Sequence, residues 1–268
     1  ISSGMPVFSI VGLGDKAVSE SKERIRAAIS SIGLEIPAKR ITVNLSPADL
    51  NKEGSHYDLP IALGILVELG IVDQDRLFNY YCLGELSLDG SINKVNGILP
   101  SAVGANTRKH GIICPADCGS EALWASEYLP IIAAKNLIEL INHLKNLSKI
   151  PKPKLSSIHQ SYSYPDLRDV KGHKVAKRAL EITAAGGHNM LMVGPPGSGK
   201  SMLATRLQGI LPEPSLEEIL ETNIIHSISG KITDSNLITQ RPFVAPHHSC
   251  SMPAMVGGEQ SLDQERYL

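Results

Sequence analysis

Residues 194–201 read Gly-Pro-Pro-Gly-Ser-Gly-Lys-Ser, which matches the pattern G-x-x-x-x-G-K-[S/T] of a phosphate-binding loop. The apolar run 190–193, Met-Leu-Met-Val, precedes the loop and predicts a buried strand, and residues 202–207 after it predict the start of a helix. A strand, a glycine-rich loop and a helix in this order form the context in which the pattern is functional. The stretch therefore predicts a P-loop α/β domain that binds ATP or GTP.

The residue types of the loop explain its predicted chemistry. Glycines let backbone N–H groups converge on a polyphosphate, and the N-terminus of the following helix adds positive potential. Lys200, the predicted catalytic residue, is expected to reach the β- and γ-phosphates, and Ser201 is expected to hold Mg²⁺. The predicted nucleotide-binding residues of this stretch are Gly194, Pro195, Pro196, Gly197, Ser198, Gly199, Lys200, Ser201 and Met202.

The composition is that of an ordinary globular protein with room for two domains. The chain has 268 residues, of which 42% are hydrophobic and 20% charged, and its formal net charge is −1. This balance neither requires nor excludes a nucleic-acid partner. No apolar run approaches the roughly 18 residues of a membrane span, so we expect no membrane partner.

The four cysteines favour reduced thiols over a metal site. Cys114 and Cys118 are four residues apart and lack a second such pair, so a zinc site is weakly indicated. His247, His248 and Cys250 form a local cluster of metal-ligand types, but cytosolic thiols without a metal are the favoured interpretation.

The pattern before residue 148 predicts an α+β domain. Alternating and apolar runs predict strands, and residues recurring at helical spacing predict helices. The predicted strands are 6–11, 40–45, 112–114 and 131–133, with a hairpin from 81 to 95 that turns at Asp89-Gly90. The predicted helices are 15–32, 58–69, 99–109, which Gly111 would close, and 136–147.

A proline- and lysine-rich stretch, 149–154, predicts an extended linker. We therefore divide the chain into a domain at 1–147, a linker at 148–163 and a second domain at 164–268. The second domain is predicted to contain helices at 174–185 and 215–221 in addition to the loop and its helix.

The second domain resembles AAA+ ATPases of the magnesium-chelatase group. The matching residues are Asp169-Val170-Lys171-Gly172, then 176–182, then Gly-Gly-His-Asn at 186–189, leading into the phosphate loop. The resemblance implies that Asp169, Val170 and Gly172 lie beside the adenine. The later stretch 241–258 is similar to the segment that precedes the second ATPase motif of this group.

The first domain resembles a Lon-protease-type domain of the ribosomal-protein-S5-like fold. The matching stretches are 52–60, Lys-Glu-Gly-Ser-His-Tyr-Asp-Leu-Pro, and 84–90, Gly-Glu-Leu-Ser-Leu-Asp-Gly. The peptidase needs a serine activated by a lysine. Aligned by motif, these two positions fall on His56 and Leu99, and Ser55 lies one position from the first. We therefore expect a scaffold or binding domain without peptidase activity.

The combination of an S5-like, Lon-type domain and a partial AAA+ P-loop domain resembles the ComM/YifB family over nearly the whole chain. This resemblance implies a bacterial, cytosolic, homo-hexameric motor that uses ATP and Mg²⁺ on single-stranded or branched DNA, with branch migration during natural transformation or recombination as its activity. Lys174, Lys177 and Arg178 could face DNA at helical spacing, but a solvated helix face is the favoured interpretation. His247 and His248 could lie near the pore of a hexamer.

Hydrolysis also needs an acidic pair at the end of a second strand. No run of four apolar residues followed by Asp-Glu occurs after Ser201. The chain begins at Ile1, so we expect that it is not the whole gene product and that segments are missing at an end or internally. Three alternatives to the DNA motor stay open: a chelatase-like ATPase that remodels a protein, an ATP-dependent protease, and a nucleotide-binding module that does not hydrolyse ATP.

Overall fold

The computed structural model of the chain describes residues 1–12, 15–47, 52, 54–155, 164–232 and 237–256. These residues form a mixed α/β structure with parallel strand pairs. The strands are β1 (Val7–Val11), β2 (Arg40–Asn44), β3 (Tyr80–Cys82), β4 (Glu85–Leu86), β5 (Ile92–Asn93), β6 (Gly111–Pro115) and β7 (Ile131–Ala134). The α-helices are α1 (Asp15–Ser31), α2 (Asp58–Glu68), α3 (Ile98–Thr107), α4 (Gly119–Leu123), α5 (Leu137–Leu144), α6 (Lys174–Gly186), α7 (Lys200–Leu207), α8 (Leu216–Ile228) and α9 (Met252–Val256).

The described residues divide into two compact units. The first contains the residues up to 155 together with 216–232 and 237–238, and the second contains 164–215 and 239–256. Compactness alone does not define a domain, so the division at the 148–163 linker stays a prediction. Among the described helices, none has both the length and the apolar composition that a bilayer crossing requires.

Among its described residues, three small sheets organise the first unit. Strands β1 and β2 pair in parallel, with Val7 opposite Arg40 and Val11 opposite Asn44. A second parallel sheet has the order β3-β6-β7. Strands β4 and β5 form the predicted antiparallel hairpin, in which Leu86 pairs with Ile92. The parallel pairs need crossover connections, which the intervening helices supply.

Helices α1, α2 and α5 bury their apolar faces in one core with these strands. Ile25 and Ile29 of α1 and Leu59 and Leu66 of α2 have no exposed surface, as the helical spacing of the sequence predicts. A second cluster lies where α3 and α4 pack with β6 and β7. The two clusters of the first unit are therefore built by elements that are distant in the chain.

Most predicted elements are confirmed with small shifts at their ends, but three predicted boundaries are wrong. Residues 80–82 form β3 and pair with β6, outside the predicted hairpin. The helix predicted at 215–221 continues to Ile228. Gly111 lies in β6 and does not close α3. The chain leaves α3 through Lys109, which adopts a left-handed conformation with φ of +58°. Helix α4 is too short for a periodic pattern to reveal it in the sequence.

Helix α8 packs against α3, within the first unit. The Ser227 hydroxyl donates a hydrogen bond of 2.6 Å to Glu121, a carboxylate with 2% of its surface exposed. The same carboxylate accepts the N–H of Leu99, 3.2 Å away, in the first turn of α3. Further along, the Asn223 amide is hydrogen-bonded to both the N–H and the carbonyl of Ile238. Buried polar groups thus fix this segment in place.

Two thiols are buried, that of Cys114 in β6 and that of Cys118 in the turn after it, and their burial leads to a testable prediction. Burial raises the pKa of Cys114 well above its ordinary value and that of Cys118 to about 11. Since the thiolate is the reactive form, we expect both to react with Ellman's reagent at pH 8 at least about 100-fold more slowly in the native protein than in urea. Mass spectrometry of trapped thiols measures each site. Equal native and unfolded rates at Cys114 would contradict its burial.

The same pKa shifts give an alkaline dependence of stability. The unfolded chain releases these two protons near the ordinary thiol pKa of 9.0, whereas the folded chain retains them to higher pH. The stabilisation is therefore fully present below about pH 9 and decreases as the pH rises above it. Changing Cys118 to alanine is expected to reduce the decrease between pH 8.5 and 11, measured by urea unfolding.

Candidate nucleotide-binding site

The second unit contains the phosphate loop, held by a small apolar cluster. Leu167, Val170, Leu180 and Leu203 are at most 8% exposed and pack together, so the segment 167–170 lies beside helix α7. The guanidinium of Arg206 in α7 also donates a hydrogen bond of 3.0 Å to the carbonyl of Asp166. The structure therefore brings the loop helix and the Asp-Val-x-Gly segment together.

The predicted strand at 190–193 is not formed within the described residues. Met190 and Met192 pack against the apolar cluster, but the intervening Leu191 and Val193 are 87% and 89% exposed. The side chains therefore alternate as in a strand, without a neighbouring strand to pair with. The prediction of a buried strand is wrong for the structure described, because burial and pairing need partners that a local pattern does not supply.

The loop itself has the conformation that its glycines permit. Gly197 and Gly199 have φ values of +78° and +84°, in the left-handed region that other residues avoid. Between them, the Ser198 N–H donates a hydrogen bond of 3.3 Å to the carbonyl of Pro195. Gly199 is the N-cap of α7, so the chain passes directly from the loop into the helix. This curvature at a helix N-terminus fits a polyphosphate.

Lys200 begins α7 and turns its side chain back over the loop. Its ammonium group donates hydrogen bonds of 2.8 Å to the carbonyl oxygens of Gly194 and Pro195 and lies 3.3 Å from the Ser198 hydroxyl. These contacts hold the positive charge at the loop and not in open solvent. The residues that follow, Ser201 and Met202, are exposed in the first turn of α7. A cation at a helix N-terminus suits the phosphates of a nucleotide, and an exposed hydroxyl beside it suits Mg²⁺.

The three residues predicted to lie beside the adenine differ in their surroundings. Val170 is 2% exposed and anchors the segment in the apolar cluster. Asp169 is exposed at the end of a short 3₁₀ turn, Leu167–Asp169, and Gly172 has φ of +71°. Only Asp169 thus keeps a free polar side chain for a ligand. The neighbouring His173, which the sequence patterns do not single out, lies against Gly199 of the loop.

The other clusters of interest lie outside the loop. The rings of His247 and His248 are 4.0 Å apart, and His247 is within 2.7 Å of the Ser249 hydroxyl. Over the described residues, no three side chains of histidine, cysteine, aspartate or glutamate converge as a metal site would need. The raised pKa values of Cys114 and Cys118 also disfavour the thiolate form that zinc binds.

The two motif-aligned positions of the Lon-type resemblance, Leu99 and His56, lie in the first unit. Leu99 has no exposed surface, and an alkyl side chain cannot accept a proton. His56 is half-buried, and burial lowers its pKa. The hydroxyl of Ser55 donates a hydrogen bond to Glu85, and both residues line a cavity of about 410 Å³ with His56. The motif-aligned positions therefore cannot form a serine–lysine pair.

Both parts of the chain match known protein families. Residues 1–118 match the family described as subunit ChlI of Mg-chelatase, and residues 166–265 match magnesium chelatase, subunit ChlI. A shorter likeness, 43% identity over 61 residues, covers 23% of this chain and 11% of a putative Lon protease homologue from Methanothermobacter thermautotrophicus. The Lon-type resemblance is therefore partial.

Several relatives, two of them from Haemophilus influenzae and Salmonella typhimurium, align with nearly the whole chain. It is 42% identical over 263 residues to the competence protein ComM of Haemophilus influenzae, covering 96% of this chain and 52% of the relative. It is 44% identical over 258 residues to an uncharacterised protein, YifB, of Salmonella typhimurium, covering 96% and 51%. The chain thus spans about half the length of these relatives. Together with the two family matches, these identities show that the chain belongs to the ComM/YifB family of magnesium-chelatase-type AAA+ proteins.

Proposed function

We propose that the chain binds ATP and Mg²⁺ and that the protein is an ATPase motor acting on single-stranded or branched DNA. The observation that carries the proposal is the phosphate loop, in which two left-handed glycines flank Ser198 and the Lys200 ammonium lies over the loop carbonyls at the start of α7. On the same family basis, we also propose that the 148–163 linker divides the chain into two domains. We propose that the protein forms a homo-hexamer and that it is cytoplasmic.

The residues of the loop have separate tasks in this proposal. The backbone of 194–199 surrounds the polyphosphate, Lys200 neutralises its charge, and Ser201 supplies one hydroxyl ligand to the metal. Bound Mg²⁺-ATP supplies the phosphoryl group that is transferred to water. Val170 packs its segment against α7, and in this proposal the backbone of that segment positions the base of the nucleotide. The support for DNA as the partner consists of the family resemblance and the description of one relative as a competence protein.

ATP turnover with and without DNA tests the proposal. The purified protein is assayed alone, with single-stranded DNA and with a branched duplex, and Lys200→Ala serves as the blank. We expect turnover that rises several-fold with DNA and is lost in the variant. Size measurement with Mg²⁺ and a slowly hydrolysed ATP analogue tests the hexamer.

A chelatase-like ATPase that remodels a partner protein is the second candidate, because both family matches are to a magnesium-chelatase subunit. Turnover that ignores DNA would favour it over the DNA motor. Nucleotide binding without any turnover would leave a binding module that does not hydrolyse ATP. Absence of nucleotide binding would contradict all three.

A further inference from the structure

The imidazole of His173 lies against the phosphate loop, inside the second unit. A Cβ atom placed on Gly199 would lie 3.5 Å from Nε2 and 3.8 Å from Cε1 of this ring. The same point would lie 3.3 Å from the terminal methyl group of Met202. Gly199 immediately precedes Lys200, so the histidine reaches the loop where its backbone turns into α7.

The backbone at His173 is held in an unusual conformation. Gly172 and His173 both lie in the left-handed region, and His173 has φ of +49° and ψ of +38°. For a residue with a side chain this costs about 1–2 kcal/mol. Such conformations persist where the surrounding structure holds them, and they occur often at ligand sites. Here Val170, three residues earlier, is buried against Leu203 of the loop helix and fixes the approach of the chain.

The side chain of His173 has no structural task in its own helix. It occupies the N-cap position of α6 but makes no capping hydrogen bond, and it is exposed. Its Nε2 atom is the ring atom nearest to the Cβ position of Gly199, so a hydrogen-bonding group lies on the side of the ring that approaches the loop. A serine, threonine or aspartate would cap the helix better, so helix stability does not explain the histidine.

We propose that His173 is a nucleotide-contacting residue that hydrogen-bonds the diphosphate of a bound nucleoside di- or triphosphate. This inference rests on the proposed nucleotide binding and adds a residue outside the loop motif. Phosphate oxygens accept hydrogen bonds strongly, and a His173 ring protonated at Nε2 would present an N–H donor beside Gly199.

Competition binding tests the contact and its chemistry. Fluorescent MANT-ADP is titrated into the protein and displaced with pyrophosphate or with adenosine. We expect His173→Gly to weaken MANT-ADP and pyrophosphate binding by about tenfold, with adenosine binding unchanged. Glycine relieves the left-handed strain, so this variant removes the ring without a folding penalty at that position. His173→Asn, which tolerates the same backbone and retains a donor, is expected to recover part of the affinity.

The matched control is His188→Ala, which removes an exposed imidazole just beyond the other end of the 13-residue helix α6, about 20 Å away. It is expected to bind like the wild type. Equal MANT-ADP affinity of wild type and His173→Gly would overturn the inference while leaving the proposed function standing. Weaker adenosine with unchanged pyrophosphate would overturn it in favour of a contact to the base. A wild type that binds no better than Lys200→Ala would instead overturn the proposed function.

Discussion

Changing Lys200 to alanine is expected to weaken ATP binding by roughly 30- to 100-fold, about 2–3 kcal/mol, and to abolish turnover. The ammonium group is held at the loop by the carbonyl oxygens of Gly194 and Pro195, each 2.8 Å away, so its charge is positioned before a polyphosphate arrives. Removing it leaves the phosphates without a charged donor. Titration of MANT-ATP in the presence of Mg²⁺ measures the loss.

Two further variants separate position from charge. Lys200→Arg retains the charge, but its planar fork does not reproduce the contacts of a compact ammonium group, so we expect an intermediate loss. Lys174→Ala removes an exposed cation of the same unit and is expected to change the affinity by less than about threefold. A loss at Lys174 equal to that at Lys200 would mean that net charge, and not the loop geometry, determines binding.

Changing Asp58 to alanine is expected to destabilise the first unit by about 3–5 kcal/mol, because it removes one partner of a buried ion pair. The Asp58 carboxylate has no exposed surface and accepts hydrogen bonds of 2.6 Å and 3.2 Å from the Arg24 guanidinium. It also accepts the hydroxyl of Ser21 and, at 3.4 Å, the N–H of Leu86. One side chain thus joins α1, α2 and β4.

The single tryptophan, Trp124, lies in the first unit, so its fluorescence during urea unfolding reports on that unit. Asp75→Asn, at an exposed position, is the control and is expected to stay within about 0.5 kcal/mol of the wild type. A double-mutant cycle with Arg24→Met isolates the pair. If Asp58→Ala lowers the free energy of unfolding by less than about 1 kcal/mol, the ion pair contributes little more than a well-packed apolar contact would.

Local patterns in the sequence predict much of the first unit. The apolar spacing in 15–32 and 58–69 predicts α1 and α2, since a helix with one buried face repeats every 3.6 residues. The turn at Asp89-Gly90 predicts the hairpin of β4 and β5. These signals succeed because neighbouring residues alone determine where the side chains point.

The failures have a common physical origin in contacts between distant residues. The run 190–193 has the composition of a buried strand, but Leu191 and Val193 have no neighbour within the described residues to cover them. The stretch 216–228 follows the phosphate loop in sequence, yet its helix packs in the first unit through Ser227 and Glu121, 106 residues apart. No periodicity in either segment encodes such a partner.

The sequence by itself determined the phosphate loop, the helix that follows it and the family, because a glycine-rich loop before a lysine encodes its own backbone conformation. It also located the two positions that a Lon-type peptidase would need and placed His56 and Leu99 there. The tertiary structure alone brought His173 to Gly199 and placed Glu121 at the start of α3. Contacts of this kind depend on how separate elements pack, and packing is a property of the folded chain that local residue patterns do not contain.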